Sequence, residues 1–242
     1  MIVYGLNPVQ EALSGRRRVL RVWAGSASAA AAARERSAPE PVAIVAPAEL
    51  ERLCGSEAHQ GLVCEAEPYP YADPGRLLAA PDALVVVLDQ VQDPQNLGAV
   101  CRSAEVAGAS GVVIPARRAA EVTPAVCKAS AGAVEHLAVA RVRNVADYLA
   151  EAKRAGAWVY GAEAGAQRPY TDVDWGGRAV VVLGSEGAGI RPRVRAACDD
   201  LVAVPVRGRI GSLNVSAAAA VLLFEAARVR ATQHAPGLDK ST

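Results

Sequence analysis

Near the C-terminus the chain reads Arg209-Ile-Gly-Ser-Leu-Asn-Val-Ser-Ala-Ala-Ala-Ala-Val221. The second half is a plain helix opening, but Ser212, Asn214 and Ser216 are more polar side chains than a helix start requires. Two other segments are similarly rich. "DQVQDPQNLGAVCRSAEVAG" follows the apolar run 83–89, and "GSEGAGIRP" follows the apolar run 178–184. Such runs predict strands buried on both faces of a parallel sheet. Ligands of open parallel sheets bind beyond the strands' C-terminal ends. These ends supply Asn96, Arg102, Glu186, Ser212 and Asn214. Singly, each has a purely structural explanation as a turn, a cap, a surface position or an early-helix acid. Together at three strand ends of one sheet they describe a site. Asn, Ser and Glu position hydroxyls through hydrogen bonds, and Arg binds phosphate in a fork.

The elements that must hold these residues alternate. Residues 1–67 predict a helix from Asn7-Pro8 (Asn7 as cap), a strand at 19–25, a helix at 26–38, a strand at 41–46, a helix at 47–55 and a strand at 61–67. That is a small α/β unit. Residues 68–82 hold four prolines and read as a linker. From 83 to 231 the pattern predicts an α/β parallel sheet of about 150 residues, near the usual domain size. Its helices fall at 98–108, 125–137, 145–156 and 215–231, and its strands at 83–89, 111–115, 157–164, 178–184 and 201–206. Residues 232–242 read as a disordered tail.

Composition narrows the function. The chain has 242 residues, is 52% hydrophobic and carries a net charge of +1, so bulk charge does not announce nucleic acid. Local basic clusters do: Arg16, Arg17, Arg18 and Arg21 near the start, and Arg207 and Arg209 before the last helix. The alternative for each cluster is a solvated face. The five scattered cysteines form no CxxC pair or zinc spacing, and free thiols in a reducing cytoplasm are expected, with no metal. There is no apolar stretch long enough for a membrane span. The glycines of "GSEGAG" lack the dinucleotide GxGxxG spacing, and no GxxxxGK[ST] phosphate loop exists.

"LDQVQDPQNLGAVCRSAEVAG", "VVVLGSEGAGI" and "VPVRGRIGSLNVSAAAAVLLFEAAR" resemble the three ordered motifs of the SpoU (TrmH-type) RNA ribose 2′-O-methyltransferases of the SPOUT superfamily. The resemblance covers nearly the whole chain. "VYGLNPVQEAL" and "HQGLVCEAEPY" are similar to the N-terminal domain of the branch that methylates a guanosine in the peptidyl-transferase loop of 23S rRNA. The departures are small: Ser103 stands where threonine is frequent, and Val204 and Val206 where Ile and Met are common.

The resemblance implies a trefoil knot in the C-terminal domain and a ribosomal-protein-like N-terminal RNA-binding domain. It implies a homodimer and S-adenosylmethionine as methyl donor. The matching cofactor positions are Gly184, Val204 and Leu213, with Gly187 and Ile190 beside them. It gives Arg102 the proton-removal step, either as a base or by binding an RNA phosphate that takes the proton. Asn96 orients Arg102 or the ribose, Glu186 holds Arg102 or Asn96 through charge-assisted hydrogen bonds, and Ser212 and Asn214 complete the ribose and phosphate pocket. Other readings keep the chemistry on tRNA, or as a resistance-conferring rRNA methylase. A further one is a non-catalytic RNA-binding assembly factor.

Overall fold

The computed structural model describes residues 1–39 and 41–234. The first unit contains β1 (Ile2–Tyr4), α1 (Leu6–Ser14), β2 (Val19–Ala24), α2 (Ala27–Glu35), β3 (Ala43–Ile44), α3 (Pro47–Cys54) and β4 (Leu62–Ala66). Its sheet runs β1-β4-β2-β3; β4 is antiparallel to β1 and β2, and β3 is parallel to β2. β1 is too short to announce itself by alternation. α1 begins at Leu6 after Gly5, not at an Asn7 cap. Gly5 turns the chain at φ 103°, and Pro8 falls within the first turn, where no amide donor is needed.

The second unit holds β5 (Leu84–Asp89), α4 (Pro94–Val106), β6 (Gly111–Pro115), α5 (Pro124–Ala129), β7 (Val139–Val142), α6 (Val145–Arg154), β8 (Trp158–Ala162), β9 (Arg168–Pro169), β10 (Ala179–Gly184), α7 (Pro192–Arg195), β11 (Asp200–Ala203) and α8 (Val215–His234). Its sheet is parallel throughout, in the order β7-β6-β5-β10-β8-β11-β9. β5 and β10 lie side by side in the middle, and their near-complete burial explains their unbroken apolar runs. Alternate residues face two layers. Leu84, Val86 and Leu88 pack with α4, α5 and α8, while Val85 and Val87 pack with α6 and α7. The helix expected over 125–137 is broken. Ala131 (φ 52°) and Gly132 (φ 91°) turn the chain, and a Cβ on Gly132 would meet Glu11 at 2.6 Å, so α1 crosses where the helix would have continued. No helix among the described residues is long and apolar enough to cross a membrane.

Residues 68–82 connect the two units but are not a loose tether. Tyr69 is buried and its hydroxyl donates to the carbonyls of Val134 and Leu137, both at 3.0 Å; Leu77 and Leu78 are buried as well. The core of the first unit is continuous with the α4–α5 layer of the second. Of the expected tail, residues 232–234 close α8, and 235–242 lie outside the described residues.

One ion pair pins this junction. Arg17 donates from Nε to Glu135 Oε2 at 2.9 Å and from Nη2 to Oε1 at 2.5 Å, with both side chains 1% exposed. Burial works against the guanidinium's charge, but the Glu135 carboxylate more than offsets it and holds Arg17 above its ordinary pKa. The neighbouring thiols carry no charge: burial pushes Cys64 up to about 12 and Cys127 up to about 11. Removing one partner of a buried pair strands the other. Glu135→Ala is therefore expected to cost about 3–5 kcal/mol in urea unfolding, with Glu135→Leu/Arg17→Met recovering most of it. A loss below about 1 kcal/mol for the single variant would contradict this reading.

Candidate active site

β5 ends in Asp89, which is fully buried. The chain then passes through Gln90 in the left-handed region (φ 64°) and reaches Asp93, whose carboxylate accepts from the Gln95 amide and caps α4. The cap followed by Pro94 starts α4 four residues earlier than the expected 98, and it puts Asn96 in the first turn, 7% exposed. β10 ends at Gly184, and residues 185–189 turn back tightly, with Ser185 and Gly189 exchanging backbone hydrogen bonds at 3.1 and 2.9 Å. Gly187 (φ 81°) and Gly189 (φ 66°) supply the left-handed geometry of this turn.

Three side chains from the three predicted strand ends meet. Asn96 Nδ2 donates to Glu186 Oε1 at 3.0 Å. Asn214 Nδ2 donates to the same oxygen at 2.7 Å and to Asn96 Oδ1 at 3.0 Å. Asn214 Oδ1 in turn accepts from the Ser216 amide at 2.9 Å and hydroxyl at 2.6 Å. Asn214 is thus both the cap of α8 and a member of the network, which accounts for the density of polar residues before that helix. Bonds to an ionised carboxylate are the stronger kind and orient both amides. Glu186 Oε2 makes no bond among the described residues, which leaves one acceptor open to an incoming hydroxyl.

A second carboxylate fixes the exit of the glycine turn. Asp89 accepts from the Arg191 backbone amide at 2.9 Å, from its Nε at 2.9 and 3.1 Å, and from its Nη2 at 2.6 Å. β5 and the end of the turn are held together from inside. The only signal for Asp89 in the sequence was an acid closing an otherwise apolar run, and Arg191 as its partner was not legible.

Between the turn and the 204–214 segment lies a cavity of about 610 Å³, within the range of small-molecule sites. Gly184, Gly187, Ile190, Val204 and Leu213 all line it, as do Glu186, Ser212 and Asn214. Leu183, Val202 and Leu222 add an apolar floor, and the end of β8 contributes Ala162, Glu163 and Ala164, which sequence reasoning missed. Glu163 is held by Arg195 at 2.6 Å. A cavity with exposed peptide groups on one side and aliphatic residues on the other suits a ligand with a flat apolar part and polar ends, such as S-adenosylmethionine.

Not every expected residue joins. Arg102, on the second turn of α4 beyond Asn96, is exposed, makes no side-chain bond among the described residues and does not line the cavity. Glu186 therefore holds Asn96 and not Arg102. Among the basic residues, Arg17 is a correction: its buried pairing with Glu135 removes it from any RNA-facing surface. Arg16 uses its guanidinium on the carbonyls of Glu135 and Leu137. Arg18, Arg21, Arg207 and Arg209 are exposed, with Arg21 loosely paired to Glu65 at 4.0 Å.

Comparison with known proteins adds to this geometry. Residues 83–224 match the SpoU rRNA Methylase family, and residues 2–72 match the substrate-binding family of RNA 2′-O ribose methyltransferases. An uncharacterized tRNA/rRNA methyltransferase of Mycobacterium ulcerans is 40% identical over 95% of this chain and 77% of its own. The YacO protein of Bacillus subtilis, provisionally named a TrmH family tRNA/rRNA methyltransferase, is 37% identical over 94% of this chain and 95% of its own. Among solved structures, the SpoU methyltransferase AviRb of Streptomyces viridochromogenes, in complex with the cofactor AdoMet, superposes with a TM-score of 0.83 at 28% identity, covering 96% of this chain and 91% of that one. An AdoMet-bound rRNA methyltransferase of Sinorhizobium meliloti gives 0.77 at 26%, covering 94% and 86%. A structure described for 2-OH methylation of C/U34 on tRNA gives 0.57 at 25%, covering 63% of this chain and 99% of its own.

The glycine turn makes a direct prediction. A Cβ on Gly184 would lie 2.0 Å from the Gly189 carbonyl carbon and 2.2 Å from the Ile190 amide nitrogen, both backbone atoms. Gly184→Ala must therefore open the turn. By calorimetry it is expected to weaken S-adenosylmethionine binding by about tenfold or more. Unchanged affinity would show that the turn does not form the cofactor wall.

Proposed function

The chain belongs to the SpoU rRNA methylase family, and from that premise we propose that it transfers a methyl group from S-adenosylmethionine to the ribose 2′-hydroxyl of a guanosine in the peptidyl-transferase loop of 23S rRNA. The observation that carries the chemistry is the junction of Asn96, Glu186 and Asn214 beside the cavity. The rRNA assignment is favoured by coverage. The Sinorhizobium rRNA methyltransferase aligns with 94% of the chain, whereas the tRNA C/U34 structure aligns with 63%. An alignment over 94% of the chain necessarily takes in most of residues 2–72, the stretch that matches the substrate-binding family. The five free cysteines fit action in a reducing cytoplasm.

When bound, S-adenosylmethionine supplies a methyl on a sulfonium, which leaves as a neutral thioether. Gly184, Gly187, Ile190, Val204 and Leu213 would hold it, Gly187 by letting it approach the main chain closely and Gly184 by letting the turn close against Gly189 and Ile190. An alcohol is a weak nucleophile, so its proton must leave as the O–C bond forms. Asn96 and Asn214, fixed by Glu186, orient the ribose, and Ser212 adds a hydroxyl at the cavity mouth. Arg102, exposed and without a side-chain bond among the described residues, acts as a cation. It grips an RNA phosphate in a fork, steadies the developing alkoxide, and lets the phosphate oxygen take the proton. The trefoil knot belongs to the same proposal, supported by the match of residues 83–224 to the SpoU family.

Dimerisation through α4 and α8 completes the proposal. The two helices pack together and leave Val106 (63% exposed) and Phe224 (49%) uncovered. Phe224→Asp is expected to lower the mass in sedimentation equilibrium from dimer to monomer. A monomeric wild-type chain would contradict the arrangement.

The activity is tested with radiolabelled methyl donor, offering a transcript of the 23S peptidyl-transferase loop and bulk tRNA side by side. Label is expected on the rRNA fragment alone, reduced on the order of 100-fold in Arg102→Ala. Label on tRNA alone would keep the chemistry and overturn the substrate. Cofactor binding without transfer to either RNA would contradict the enzyme reading.

A further inference from the structure

The loops at the C-terminal edge of the parallel sheet hold an excess of arginine that the site does not use. Register aligns Pro115 of β6 with Val142 of β7, so the loop after β6 and the residue after β7 emerge side by side. They carry Arg117, Arg118 and Arg143, all exposed and all without a side-chain bond among the described residues. Most acids along this edge already have a cation: Glu121 is paired with Arg141 at 3.0 Å, Asp147 with Arg193 at 3.1 Å, and Asp89 with Arg191 at 2.6 Å. Asp93 is spent capping α4, and Glu186 holds the two amides. Arg117, Arg118 and Arg143 therefore present uncompensated charge on a chain whose net charge is only +1.

The loop that bears two of them is built, not slack. The Ala116 amide donates to the Val142 carbonyl at 2.8 Å and the Ala120 amide to the Val91 carbonyl at 2.9 Å. The Val122 amide donates to the Tyr71 hydroxyl at 2.9 Å. Arg141 braces it from below, donating to the Ala116 carbonyl at 3.3 Å while lying over the Tyr71 ring. Within this frame Arg118 sits at φ 57°, a left-handed conformation that an arginine adopts only at a cost. The Ala120–Val91 bond also joins this loop to the segment that leads into Asn96. The arginines thus continue outward from the site along neighbouring strand ends, which are spaced about 4.8 Å apart.

We propose that Arg117, Arg118 and Arg143 form a phosphate track that receives the phosphodiester backbone of the substrate RNA on the β6–β7 side of the active site. Forked guanidiniums at fixed positions suit successive phosphates and read no sequence. The track sets the direction in which the strand leaves the methylated ribose, while base identity is read elsewhere. It rests on the reading of this site as an RNA methyltransferase.

The test measures binding of a fluorescein-labelled peptidyl-transferase-loop transcript against salt, with methyl transfer and S-adenosylmethionine binding followed in parallel. Arg117→Ala/Arg118→Gly/Arg143→Ala is expected to lower the slope of log affinity against log salt by about 2, since each phosphate contact contributes about 0.7 on single strands. The KM for RNA should rise roughly tenfold, with kcat and cofactor affinity unchanged. Replacing the same three residues by lysine keeps the charge and should restore the slope. Arg154→Ala, at the other end of α6, should leave it alone. A triple variant with wild-type slope and KM, or an equal per-charge loss from Arg154→Ala, would overturn the track. A wild-type chain that shows the track-dependent slope but transfers no methyl would leave the track standing and sink the methyltransferase reading instead.

Discussion

One carboxylate oxygen gathers three segments that the chain keeps far apart. Glu186 Oε1 accepts from Asn96, 90 residues before it, and from Asn214, 28 residues after it. Parallel topology makes this possible, because every strand of such a sheet ends at the same edge and β5 and β10 are neighbours there. The glycine turn, the cap of α8 and the first turn of α4 must then each take one position to satisfy that oxygen. The cavity wall follows from the same constraint, since the turn holding Glu186 also exposes Gly184 and Gly187. Asp89 adds a second tie through Arg191, so the turn is fixed at both ends.

Much of this was legible because the strongest patterns are those that burial enforces. The apolar runs of β5 (84–88) and β10 (179–183) can satisfy their burial only in the middle of a layered sheet. The polar residues beyond those runs stood out by contrast, and Asn96, Glu186 and Asn214 were found that way. Three short strands were not legible: β1, β7 and β9 have 3, 4 and 2 residues, too few for alternation to separate them from loop. The start of α4 was misplaced because Asp93-Pro94 fits a turn as well as a cap with proline at the first helical position. Arg17 was misread for a longer-range reason. Arg16, Arg17 and Arg18 look alike in sequence, and what buries the middle one is Glu135, 118 residues away.

That buried pair has a functional side. The N-terminal sheet shares a core with the α4–α5 layer, and Tyr69 and Arg17 seal the junction. α4 carries Asn96 and Arg102, so the first unit rests on the helix that begins at the candidate site. RNA bound by the first unit would meet the site in a set orientation.

The central claim is that Asn96 and Asn214 act as one unit through Glu186. A double-mutant cycle tests it: kcat/KM for methyl transfer is measured in the wild-type chain, Asn96→Ala, Asn214→Ala and the double variant. The expected result is strong non-additivity, with the second substitution adding little once the first is made and a coupling energy of about 1–3 kcal/mol. Additive losses, with a coupling within about 0.3–0.5 kcal/mol of zero, would show that the two amides work independently and that the shared carboxylate does not organise the site.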